Sequence, residues 1–320
     1  MLRGIDLSFF MRRLDLVTSV VFLGVAAITV SSQGKSFFRS ATIVTEPNAA
    51  VWIDGVRYGT TDENGRLTIR SVSPGRHAVR VRADGFSEAT KPLLPAQKGD
   101  FHVKLSKTTN TAELAFQEGE RQSLLDRQKA AEAYRKAIGS DPKHAAAHVA
   151  LARVLAESGD VEGALKAVAE LKKVSPTDPE AFVIEGRIYK DIDDEKRSIA
   201  AFKRAIALGK GFQPEAYTGL GLLYKENAEG LGGDTSDPAT AAAYNEAIKN
   251  FSIAVRQLSG APDAIVVFQL LGLIQERQGK LKEAIATYED FLRVFPDVSE
   301  AEAVRSFIVQ IKKQLAEQGQ

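Results

Sequence analysis

No cysteine occurs anywhere in the 320-residue chain. That excludes disulfides, thiolate metal sites and any lipid attached through a cysteine, and with them a lipoprotein anchor. An excess of one charge is also missing. Lys and Arg total 42 against 41 Asp and Glu, so no long-range field draws the chain to nucleic acid. Histidine is scarce, at His77, His102, His144 and His148. Only the last two are close, and their i, i+4 spacing lacks the intervening glutamate of an HExxH zinc site, so no metal is expected. Gly230, Gly232 and Gly233 lack the lysine and Ser/Thr of a phosphate loop, and Asp191, Asp193, Asp194 and Glu195 lack the glycine and spacing of a calcium loop. With no serine in a GxSxG setting either, a non-enzymatic chain without a cofactor is expected.

Long apolar runs are nearly absent. The exception is Leu16 to Val30, preceded by Arg3, Arg12 and Arg13 and followed by Ser31, Ser32, Gln33 and Gly34. At 15 residues it matches a signal-peptide core and falls short of the roughly 20 that span a bilayer comfortably. Residues 1–34 are therefore expected to be an export segment. Cleavage after Ser32 is favoured on length, and a retained anchor lengthened by Phe37 and Phe38 is the alternative. Either way the remainder is expected outside the cytoplasm, in the periplasm or at the cell surface, with membrane association through residues 16–30 if the segment is kept.

From Ala41 the texture changes to short β-prone runs punctuated by Asp54-Gly55, Asn64-Gly65, Pro74-Gly75 and Asp84-Gly85. Turn dipeptides at about ten-residue spacing point to an all-β sandwich or barrel over residues 36–107. Val79 and Val81 share one face of their strand and Arg80 and Arg82 the other, so one face is expected buried and the other wet. This segment carries 11 basic and 7 acidic side chains, against 27 and 32 in residues 108–320. An asymmetry this mild reads as mixed signs on solvated faces, with weak contact with an anionic surface as the alternative.

The stretches Thr45-Glu46-Pro47-Asn48-Ala49-Ala50-Val51-Trp52-Ile53-Asp54-Gly55, Tyr58-Gly59-Thr60-Thr61, Ser73-Pro74-Gly75-Arg76-His77-Ala78-Val79-Arg80-Val81 and Asp84-Gly85-Phe86 resemble a PEGA domain. The stretch from Thr61 to Leu67 also resembles the carboxypeptidase regulatory-like sandwich. Both resemblances imply a non-catalytic domain of exported bacterial proteins that contacts surface components. Trp52, the only tryptophan, reads either as a sugar-stacking platform or as part of a core or interdomain contact, and its place between Val51 and Ile53 favours the second.

Beyond a short linker at 107–110 the apolar period changes from 2 to 3.6. Pro142 and Pro176 lie 34 residues apart, as do Ala130 and Ala164, and Ala152 and Gly186. Glycine and alanine recur where two helices touch most closely, with an aromatic residue one turn away, as in Tyr217-x-x-Leu220-Gly221-x-x-Tyr224 and Phe268-x-x-Leu271-Gly272. A helical hairpin of this kind cannot bury its own apolar face, so neighbours must stack. The period and pattern resemble tetratricopeptide repeats. An all-α superhelix over residues 111–320 is expected, with about five hairpins at 111–144, 145–178, 179–213, 214–262 and 265–298 and a capping helix. Gly119 falls one residue out of register, and the fourth hairpin is 15 residues longer than the others, with a Gly-rich tip. That insertion reads as a tolerated surface extension, Asp237 and Pro238 as the cap and first residue of its second helix.

The resemblance implies a peptide groove on the concave face lined by the first helices. Carried over residue by residue it selects Val149, Arg153, Val183, Arg187, Lys190, Thr218, Leu222, Lys225, Gln269 and Leu273. Val149 and Arg153 stand where the carboxylate-clamp subclass has lysine and asparagine, which argues against chaperone-type C-termini as ligands. The expected function is an exported protein-protein interaction scaffold, the groove holding a protein or peptide partner and the β domain contacting an envelope component. The alternative is a carbohydrate- or cell-wall-binding protein in which the β domain is the binding module.

Overall fold

The structure is a computed structural model that describes residues 39–318. The apolar run at 16–30 lies outside the described residues. No helix among the described residues is long and apolar enough to cross a membrane.

Among the described residues, nine short strands come first: β1 (Arg39–Val44), β2 (Ala50–Ile53), β3 (Val56–Thr60), β4 (Arg66–Val72), β5 (His77–Arg82), β6 (Phe86–Ser87), β7 (Ala89–Leu93), β8 (Asp100–His102) and β9 (Ser106–Lys107). They form a three-stranded sheet β4-β1-β8, a four-stranded sheet β3-β2-β5-β7 and a ribbon β6-β9. Side-chain alternation supplies the core between the two sheets, with Ile43, Val51, Val79, Val81 and Leu93 fully enclosed. The four glycines of the expected turn dipeptides all have positive φ, which explains why glycine stands there. Gly65 has a second reason, since a Cβ would fall 2.0 Å from the Thr45 carbonyl oxygen.

Eleven helices follow among the described residues. They pair as α1 (Thr111–Gln122) with α2 (Arg127–Ser140), α3 (Ala145–Glu157) with α4 (Val161–Val174), α5 (Pro179–Asp191) with α6 (Glu195–Leu208), α7 (Pro214–Gly230) with α8 (Pro238–Leu258), and α9 (Ala264–Arg277) with α10 (Leu281–Val294). The last, α11 (Ala301–Gln318), buries Val304, Ile308 and Ile311 at the end of the stack. Asp126, Asp160, Asp178, Asp194 and Asp237 cap the starts of α2, α4, α5, α6 and α8 by accepting from backbone N–H groups.

Close helix contact explains the repeated small residues. A Cβ added at Gly186 would come within 2.7 Å of the Phe202 ring, at Gly221 within 2.6 Å of Phe251 and at Gly272 within 2.3 Å of Tyr288. Gly119 has the same role against Tyr134, at 2.4 Å. Its shifted register has a local cause: α1 ends three residues after Gly119, whereas α5 and α9 end five residues after Gly186 and Gly272, and the turn at 123–126, one residue longer than those at 192–194 and 278–280, recovers only one of the two.

Candidate peptide groove and its β-domain clamp

The sandwich is held against the helical stack in two places. At the first, Arg82 leaves the outer face of β5 and is only 7% exposed, contrary to the wet face expected for it. Its guanidinium lies between the rings of Trp52, at 5.2 Å, and Phe116 of α1, at 4.5 Å. Nη2 donates to Glu88 at 2.5 Å and Nη1 to Glu120 of α1 at 2.6 Å. Burial alone would penalise this charge, but Glu120 and Glu88 outweigh it and hold the pKa above the usual guanidinium value. Gln117 of α1 completes the joint, accepting from the Gly85 N–H and donating to the Phe86 carbonyl. Trp52 is thus part of an interdomain contact. Its ring also carries the Arg80 guanidinium at 4.3 Å, where a sugar platform would need a free face.

At the second place, the β3 and β4 edges meet the loops after α8 and α10. Tyr58 donates to the Leu258 carbonyl at 3.2 Å, and burial pushes its phenol up to about 12. Ser259 Oγ and the Gly260 N–H both donate to the Ser71 carbonyl, and Arg70 pairs with Asp297. One apolar cluster runs without a break from Ile43, Val51 and Val81 of the sandwich to Leu258, Phe291 and Ile308 of the last helices. The β domain therefore bridges the first helix and the last two hairpins, closing a ring of contacts with the stack.

Between these joints lies the face selected from the sequence. Val149, Leu222, Gln269 and Leu273 are half-buried there. Val183 and Thr218 do not line it. Val183 is fully enclosed because it packs into the cluster around Phe202, and Thr218 is buried with its hydroxyl turned back to donate to the Pro214 carbonyl of its own helix.

The four basic candidates are all paired. Arg153 Nη2 donates to Glu180 at 2.5 Å and to Glu215 at 2.6 Å, and Arg187 donates to Glu215 at 3.1 Å. Lys190 meets Glu226, and Lys225 meets Glu229, which also takes Arg277 of α9. Burial would raise the Glu215 carboxyl, but Arg153 and Arg187 overcome it and hold the group well below the usual carboxylate range. The basic candidates are therefore part of a charge-balanced ladder along α3, α5, α7 and α9. The acidic half of the ladder carries a sequence signal of its own: Glu180 and Glu215 each follow the proline that opens a first helix, one repeat apart.

The histidine pair serves the fold. His144 Nδ1 accepts from the Ala147 N–H and caps α3, and His148 Nε2 contacts the Pro142 carbonyl at 3.0 Å. No group of three or more His, Cys, Asp or Glu that could hold a metal is present among the described residues.

Comparison with known families separates the alternatives for the β domain. A PEGA domain model matches residues 40–109, and tetratricopeptide repeat models match residues 116–182 and 267–297. The chain joins a PEGA domain to tetratricopeptide repeats. No curated protein matches it. Among solved structures, yeast Tom70 is similar over 65% of this chain and 41% of its own, with 19% identity and a TM-score of 0.52, a likeness of fold alone. MamA is similar over 61% of this chain and 96% of its own, at 23% identity and a TM-score of 0.41. A thermophilic TPR protein of Thermus thermophilus gives 62% and 99% coverage, 16% identity and a TM-score of 0.45.

Proposed function

We propose that the chain is an exported protein-protein interaction scaffold whose repeat groove holds a partner segment while the PEGA domain fixes the curvature of the stack. The observation that carries this reading is the face along α3, α5, α7 and α9, where half-buried Val149, Leu222, Gln269 and Leu273 border the ion-pair ladder. Because Arg153, Arg187, Lys190 and Lys225 already have carboxylate partners, an acidic ligand would gain little by exchanging with them. Apolar contact is where new area can be buried, so an extended segment with uncharged, apolar anchors fits best. Export rests on the apolar run at 16–30, and the envelope component is the PEGA domain's proposed neighbour.

A photo-crosslinking amino acid placed at Leu222 or Gln269 in cells should yield a covalent adduct with one partner protein, and the same residue at exposed Lys203 on α6 should not. Adducts from Lys203 with none from the groove positions would contradict the scaffold reading. The cell-wall alternative is disfavoured by the guanidiniums already stacked on Trp52.

A further inference from the structure

The first three hairpins divide their charge between their two helices, although the whole chain is nearly balanced. The second helices α2, α4 and α6 carry 11 Lys and Arg against 4 Asp and Glu. The first helices α1, α3 and α5 carry 4 against 7. The basic excess points outward. Ala130, Ala164 and Ser198 follow one another at the repeat spacing and are all fully buried, so the three second helices share one rotational phase. Five and six residues further on, round the far side of the helix, stand Arg135 and Lys136 on α2, Ala169 and Glu170 on α4, and Lys203 and Arg204 on α6, every one exposed. Exposed Lys166 and Lys173 flank that pair on α4.

In the groove each basic candidate already has a carboxylate. On this outer face Arg135, Lys136, Lys166, Lys203 and Arg204 have none among the described residues, and only Lys173 is matched, by Glu170 at 2.7 Å. The array runs along each helix and across three successive hairpins, so it covers an area rather than a line. Its floor is made of exposed Gly139, Ala169, Ala200 and Ala207, with no aromatic ring on which a base could stack. The array is also bounded. The same two positions hold Ser252 and Ile253 on α8 and Glu289 and Asp290 on α10, which ends the basic face at the third hairpin. Long, flexible cations above small residues suit a plane of phosphates whose positions are not fixed, as at the headgroups of acidic lipid.

We infer that the outer face of α2, α4 and α6 docks on a bilayer surface rich in acidic phospholipid. Contact is electrostatic, because the face offers no large apolar side chain for insertion. It leaves the first-helix side turned away from the lipid, and it does not depend on what the groove holds.

Ala169 lies at the centre of the array and carries no charge, so Ala169→Cys places a label there without disturbing it, in a chain with no other cysteine. Full-length protein with an environment-sensitive fluorophore at that site is titrated with vesicles of phosphatidylcholine containing one-quarter phosphatidylglycerol. Val309→Cys on α11, 68% exposed, is the control. Residues 16–30 offer a separate route to the bilayer, so the label and not flotation is the readout. The Ala169 label should shift to the blue with the acidic vesicles, stay unshifted with pure phosphatidylcholine and return to its aqueous spectrum in high salt, while the Val309 label reports water throughout. K136Q, K166Q and K203Q together should raise the lipid concentration needed for the shift about a hundredfold, since each lysine near an acidic surface contributes about fivefold. An Ala169 label that stays in water on vesicles to which the protein is bound would overturn the docking face. So would a shift that the three substitutions leave unchanged. A label that answers to polyphosphate or single-stranded RNA and not to the vesicles would assign the face to a linear polyanion and overturn the lipid assignment.

Discussion

Replacing Arg82 by alanine is expected to cost about 3 kcal/mol of stability, because removal of one member of a buried ion pair leaves its partners with unbalanced charge. Glu88 and Glu120 are each about a third exposed and can rehydrate, which keeps the expected loss at the low end of the range for such breaks. The same substitution empties the space between Trp52 and Phe116 and should free α1 from the sandwich. Urea unfolding followed by Trp52 fluorescence would report it as a lower midpoint, with new protease sensitivity in the linker at 107–110. An unchanged midpoint would mean that the first joint contributes nothing to holding the two parts together.

A second large effect is expected at Phe202, which is fully enclosed and lies against Gly186 of its own hairpin and Gly219 of the next. It is the centre of a small apolar cluster with Val183, Ala205, Ala216, Leu220 and Leu223, placed between the core that runs from α1 to α5 and the core that joins the last helices to the sandwich. Phe202→Ala should cost about 3–5 kcal/mol through lost burial and the cavity left behind. Stability in a repeat stack is a sum of units and nearest-neighbour interfaces, so weakening this interface should also split unfolding into two steps. The ring closed by the PEGA domain links the same two halves by a second route, and Phe202→Ala combined with Arg82→Ala should therefore separate the steps further than either change alone. A single coincident transition in the double variant, measured by far-ultraviolet circular dichroism and tryptophan fluorescence, would contradict this account of coupling.

The fold was legible because close packing leaves a local mark. Gly186, Gly221 and Gly272 are small for one reason, an aromatic ring pressed on the helix, and that reason recurs with the repeat. Gly119 obeys the same rule and only looks irregular, because α1 ends two residues sooner after its glycine than α5 and α9 do and the longer turn makes up only one of them. The β turns were equally visible, because positive φ demands glycine whatever the tertiary context. Contacts between distant segments leave no such mark. Strand alternation places Arg82 on a wet face, and only α1, 38 residues further on at Glu120, covers it. The groove shows the same limit. Arg153 and Arg187 could be found from the repeat phase, but their neutralisation by Glu215 depends on helices brought together by the curvature of the stack.

The claim on which the rest depends is that the PEGA domain is fixed to the far end of the repeat stack as well as to its first helix. Since the chain has no cysteine of its own, a Ser71→Cys, Gly260→Cys variant of the full-length protein tests this without background. A Cβ built at Gly260 lies 2.9 Å from the Ser71 Cβ, close enough that a small shift allows a bond. Mild oxidation should convert nearly all of the protein to a form cyclised between residues 71 and 260, seen as a faster band on a non-reducing gel and reversed by thiol. Two free thiols persisting in protein whose helices remain folded would show that the sandwich swings free, and the clamped groove would then have to be abandoned.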